Sequence, residues 1–292
     1  MNARLVALAV AWLAPAAAFA QHFHHHVGAT HGDDPTKSVC DKPYTPLEPA
    51  TKWQGVPWEV HSKNPLAKVY FNQGMTLLYG FNYEDALRNF REATRLDPTF
   101  VMGWWGMALA AGPNINIDPG DICAQRAKDW SQRALNLANE QRVDLYGFEH
   151  DLADALQQRY SSGKPDADKY AAAMKKAWDN QLLLLPKPDP NVGALYAESV
   201  MDQHPWDLYD QQGNPREWTQ TVLDVLDKVL KTSPTAVGAN HYWIHAVEAG
   251  KDPGSAAASA QLLENAVKGS GHLLHMPSHT WLLTGRYREA IK

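Results

Sequence analysis

The chain has 292 residues, 45% of them hydrophobic and 20% charged, a composition able to bury a substantial core. Its net charge is −5 and no basic cluster of five or more occurs, which argues against a nucleic-acid partner.

Residues 1–20 read as a signal peptide. Arg4 supplies the positive start, the apolar run 5–13 is too short to span a bilayer, and Ala18-Phe19-Ala20 fits a cleavage site. The expected cut after Ala20 sends the mature protein to the periplasm or the medium, with no membrane span in the mature chain. Residues 21–64 form an N-terminal extension. It begins Gln21-His22-Phe23-His24-His25-His26, with His31, Asp33 and Asp34 following. We expect a disordered arm with a weak capacity to capture metals. From 39 to 64 the segment is rich in Pro, with Trp53 and Trp58 as isolated anchors. We read it as extended and laid against a helical body. Cys40 and Cys123 could pair in an oxidising compartment; a soft metal site is the alternative.

From residue 65 to 292 the pattern is helical. Two amphipathic segments, 67–79 and 83–96, are joined by Gly80-Phe81-Asn82, and Asp97-Pro98 ends the second. Small Ala86 and Ala93 flank Phe90 at helical spacing, which lets two helices approach closely. Further helices are expected at 101–111, 122–138, 140–160, 166–184, 191–202, 217–231, 236–249 and 254–267. A long turn interrupts at Gly112-Pro113-Asn114-Ile115-Asn116, and a loop at 204–215. A 34-residue phase persists: Pro98 to Pro234 is four such steps and Ala86 to Ala290 six. That is the length of a helix–turn–helix repeat. No β-rich alternation competes.

Tyr70, Gly74, Ala86, Phe90, Ala93 and Pro98 resemble the tetratricopeptide repeat. Phe71-Asn72-Gln73-Gly74, Tyr79-Gly80-Phe81-Asn82, the 112–116 turn, 238–248 and His275-Met276-Pro277-Ser278-His279 resemble a group of exported bacterial tetratricopeptide proteins. The resemblance implies an all-α, right-handed superhelical stack of hairpins whose concave groove binds a protein or peptide. A terminal repeat needs a polar cap. The chain stops at 285–292, inside what reads as a turn and a second helix, and we expect truncation at the C-terminus.

The chemistry concentrates in two histidine stripes. His241 and His245 recur as His275 and His279 after 34 residues. His241, His245 and Glu248 are spaced i, i+4, i+7, and His272, His275 and His279 are spaced i, i+3, i+7. Each set shares one helical face. Imidazole suits Zn, Cu or Fe, and a carboxylate completes such sites. We therefore carry these six residues as candidate ligands of one transition-metal ion, whether for binding or for metal-dependent catalysis. Two other readings stay open: a metal-free polar groove for peptide, and a purely structural cluster. Pro277 leaves the second stripe ambiguous, because it either starts a helix or kinks one. Asn114, Asn116, Glu198, Asp202 and His204 are further candidates for lining the groove. No nucleophile elbow, phosphate loop, dinucleotide fingerprint or zinc ribbon occurs, so an enzyme reading rests on the histidines alone.

Overall fold

The computed structural model describes Cys40 and residues 55–116, 120–142, 147–267 and 269–291. The expected signal peptide, the histidine tract and Trp53 lie outside the described residues. Twelve α-helices follow one another among the described residues. They are α1 (Pro65–Tyr79), α2 (Tyr83–Leu96), α3 (Val101–Ala110), α4 (Gly120–Glu140), α5 (Gly147–Tyr160) and α6 (Ala167–Leu184). Then come α7 (Pro190–Gln203), α8 (Glu217–Thr232), α9 (Val237–Val247), α10 (Ala257–Ala266), α11 (Gly271–Leu283) and α12 (Tyr287–Ala290). No strand occurs among them; Tyr209 and Pro215 form an isolated antiparallel bridge. No described helix is long and apolar enough to cross a membrane.

The helix ends follow local chemistry. Asn64 accepts the Leu66 N–H at 2.9 Å ahead of Pro65, which needs no partner at that position. Asn82 accepts the Asp85 N–H at the start of α2, and Glu84 and Asp85 there oppose Arg95 at the other end. Consecutive helices pack as hairpins, which makes the chain an all-α repeat stack. Phe90 of α2 locks the first hairpin to α3. A β-carbon at Gly74 or at Gly106 would sit 2.6 Å from its ring, so glycine at both positions lets the helices close on it.

Two elements differ from expectation. The segment 140–160 is not one helix: α4 ends at Glu140 and α5 begins at Gly147. The two helices pack on each other, so the chain has to turn, and hydrophobic period alone does not mark that turn. Pro277 neither starts a helix nor breaks one. It sits inside α11, which is opened instead by Ser270, whose hydroxyl accepts the Leu273 N–H. His272, His275 and His279 therefore share one helix.

The segment 55–64 is extended and does lie on the helices. Trp58 is buried, stacks on Phe148 and meets Trp105 edge-on, and its indole N–H donates to Asp189 Oδ2 at 3.0 Å. Cys40 and Cys123 are joined by a disulfide that closes 83 residues of chain. Arg91 Nη2 donates to the Cys40 carbonyl at 2.7 Å. The odd-numbered helices also touch one another: α1 meets α3, α3 meets α5, and α9 meets α7, α11 and α1. The end of the first hairpin is thereby carried against the histidine-bearing helices.

Candidate metal centre

α9 is apolar around most of its circumference and is buried accordingly. Gly238 in its first turn permits this: a β-carbon there would lie 2.5 Å from the Tyr79 ring. The close approach sinks His241 and His245 into the protein, where both are buried. α11 packs alongside and supplies His272, His275 and His279.

The imidazoles form two overlapping groups. His241, His245 and His272 each place a ring nitrogen within 4.8 Å of the others, and His245, Glu248 and His279 make a second set on the same criterion. His241 Nε2 lies 3.1 Å from His272 Nε2. His275 Nε2 lies 3.0 Å from His279 Nε2. Glu248, at the C-cap of α9, accepts from His245 Nδ1 at 2.9 Å and from His279 Nδ1 at 2.6 Å. His245 Nε2 is buried and has no hydrogen-bond partner among the described residues.

Electrostatics follow from this crowding. Burial pushes the His241 imidazolium well below the usual range, and the neighbouring His245, His272 and His279 add to the shift. His241 is therefore a neutral nitrogen base, the form that ligates metals. Burial pushes the Glu248 carboxyl up, but the positive charge that His245 and His279 carry when protonated and the hydrogen bonds they donate outweigh it and hold it at about 2. Glu248 is thus an anion throughout the physiological range.

Aromatic side chains enclose the cluster. The Phe81 ring sits 4.7 Å from His241, 4.9 Å from His272 and 5.7 Å from His245. Trp206 meets His245 edge-on at 5.7 Å. Phe81 (φ 54°) and Trp206 (φ 61°) are the two non-glycine residues with left-handed backbone among those described. Both costly conformations therefore fall on residues that touch the histidines. Residue pattern gives no hint of either. Gly80-Phe81-Asn82 reads as an ordinary turn, and nothing shows that its aromatic carries the positive φ.

The candidates for a groove go elsewhere. Glu198 and Asp202 lie one turn apart on α7; Glu198 and the Asp202 side chain are buried, not exposed on an open surface. Arg159, itself buried, donates to Asp202 Oδ2 at 3.1 Å and also to the Pro113 carbonyl. This ties the 112–116 turn to α5 and α7. Asn114 is buried in that turn and accepts the Asn116 N–H at 2.9 Å. Burial and the nearby Asp202 charge push the Glu198 carboxyl up to about 8 despite Arg159. Burial pushes Asp202 up to about 6 against the same cation. His204 stacks on Trp218 at 3.8 Å. None of Glu198, Asp202 and His204 joins either histidine group. Arg159, which organises this region, has no sequence neighbours that mark it.

Residues 67–100, spanning α1, α2 and the entry to α3, match the sequence model of the tetratricopeptide repeat. No curated protein matches the chain.

Proposed function

We propose that this is an exported helical-repeat protein whose α9–α11 pair binds a transition-metal ion. One observation carries the reading: three imidazoles from two helices, two of them buried and the third half-buried, bring ring nitrogens within 4.8 Å of one another. Packing alone gives no reason to bury several imidazoles whose charged forms repel. Polar groups enclosed without partners cost about 1–3 kcal/mol each, and His245 Nε2 is such a group. An ion held by His241, His245 and His272 would give His245 Nε2 the partner it lacks. An all-imidazole set suits Zn or Cu, with Fe the next choice. Three protein ligands leave a position open for water or substrate, so metal-dependent chemistry would sit at this ion.

The test is elemental analysis of mature protein without an affinity tag and without residues 22–31, beside a His241→Ala/His272→Ala double variant. One ion per chain in the parent and none in the variant supports the reading. A parent that stays metal-free on titration with Zn(II) and Cu(II) overturns it.

The match at residues 67–100 favours a second reading. Tetratricopeptide repeats build scaffolds that bind proteins or peptides, and an exported scaffold of this kind needs no metal. It is the reading left standing if the fold is intact and no ion binds.

A further inference from the structure

Which nitrogens face the ion is decided by counting hydrogen bonds around Glu248. An ionised carboxylate only accepts. Its two oxygens lie 2.9 Å from His245 Nδ1 and 2.6 Å from His279 Nδ1. Each Nδ1 must therefore carry the proton, and a neutral imidazole protonated there has its lone pair at Nε2. His245 Nε2 is the buried atom with no partner among the described residues. His279 Nε2 faces His275 Nε2. Glu248 thus engages Nδ1 of both His245 and His279, and His275 faces the remaining nitrogen of His279. His245 Nε2 keeps its lone pair for an ion, beside the Nε2 atoms of His241 and His272, which lie 3.1 Å from each other.

We propose that Glu248 is the positioning residue of this site and not one of its ligands: by accepting Nδ1–H from His245 and His279 together, it makes both present a bare Nε2. The assignment rests on the metal reading of the α9–α11 pair. It replaces the role of ligand that spacing alone suggests for Glu248. It also explains how two helices are held in register at the site, since one carboxylate from the end of α9 grips a histidine on each. A carboxylate behind a ligating imidazole fixes its tautomer and raises its basicity.

Glu248→Gln tests this sharply. A side-chain amide has one accepting oxygen and one donating nitrogen. It can take Nδ1–H from only one of the two histidines, and the other must rotate or change tautomer. We expect E248Q to bind one ion per chain at saturation, with affinity lower by roughly 10–100-fold. Nitrogen-15 NMR of the metal-free parent should show His245 and His279 both protonated at Nδ1, and E248Q should lose that signature at one of them. A folded E248Q that binds no ion even at saturation would make Glu248 a ligand and overturn the assignment, while the metal reading stands. Parent-like affinity and tautomers in E248Q would overturn it equally. If E248Q does not fold, the parent spectrum still decides: Nε2–H at either histidine overturns the proposal. A parent that binds no metal removes the metal reading itself, a result distinct from all of these.

Discussion

His241 and His272 meet nitrogen to nitrogen at 3.1 Å across 31 residues, not across the 34 that separate equivalent positions of the two stripes. The formal equivalent of His241 is His275, but His275 pairs instead with His279 on its own helix. α9 and α11 are therefore offset by about one helical turn relative to a simple superposition of the stripes. The offset assigns the ligands: His272 belongs with buried His241 and His245, and exposed His275 with half-buried His279. We expect His272→Ala to lower metal affinity by more than the roughly 10–100-fold typical of outer partners. His275→Ala should change it less than that. Isothermal titration with Zn(II) on both variants checks the order, and a larger loss in His275→Ala would reverse the assignment.

The all-α repeat stack was legible in the sequence because its signals are local. Asn64-Pro65, Asn82 and the Ala86, Phe90, Ala93 spacing act within one hairpin, and α1 and α2 fall where those residues put them. The grouping of the histidines was partly legible, since i, i+4 and i, i+3, i+7 spacings fix a face without reference to the rest of the protein. What lay out of reach depends on contacts between distant helices. Glu198 and Asp202 look like groove residues on a helix face, and only the packing of α5 brings Arg159 to bury them. The offset of α9 against α11 and the positive φ of Phe81 are likewise set by tertiary packing.

Buried carboxyls give the stability a definite pH dependence. The folded state holds Glu198 at about 8, above its unfolded value near 4.5. Between those limits the native state binds more protons than the unfolded chain, so this group makes stability fall as pH rises. Asp202, at about 6, acts in the same direction at lower pH. Glu248, at about 2, acts oppositely: its contribution is present above 4.5 and is lost as pH falls toward 2. We expect urea midpoints to decline from pH 5 to pH 8, with a slope from Glu198 of at most about 1.4 kcal/mol per pH unit. Glu198→Gln should flatten that decline. An unchanged slope in the variant would place the titration elsewhere.

The disulfide should carry a measurable share of the stability. It closes 83 residues, tying the N-terminal segment to α4. For loops of this length the chain-entropy account gives about 4.5 kcal/mol, and measured values more often lie near 2–4 kcal/mol. Cys40→Ser/Cys123→Ser should lower the urea midpoint accordingly, and added reductant should shift the parent to the same value without affecting the variant. Equal midpoints for parent and variant would show that the bridge constrains little.

Arg159 is the most demanding single position away from the histidines. Its guanidinium is buried, with one bond to Asp202 and one to the Pro113 carbonyl, and it lies 4.6 Å above the Tyr170 ring. Replacing it by Met strands the Asp202 carboxylate and frees the 112–116 turn. Removing one partner of a buried ion pair typically costs about 3–5 kcal/mol, because the remaining charge stays desolvated. The companion change Asp202→Leu removes that charge, so the double variant should recover part of the loss. Chemical denaturation of the two single variants and the double closes the cycle. Additive losses would mean that the two side chains act independently, and that the turn is held by the Pro113 bond alone.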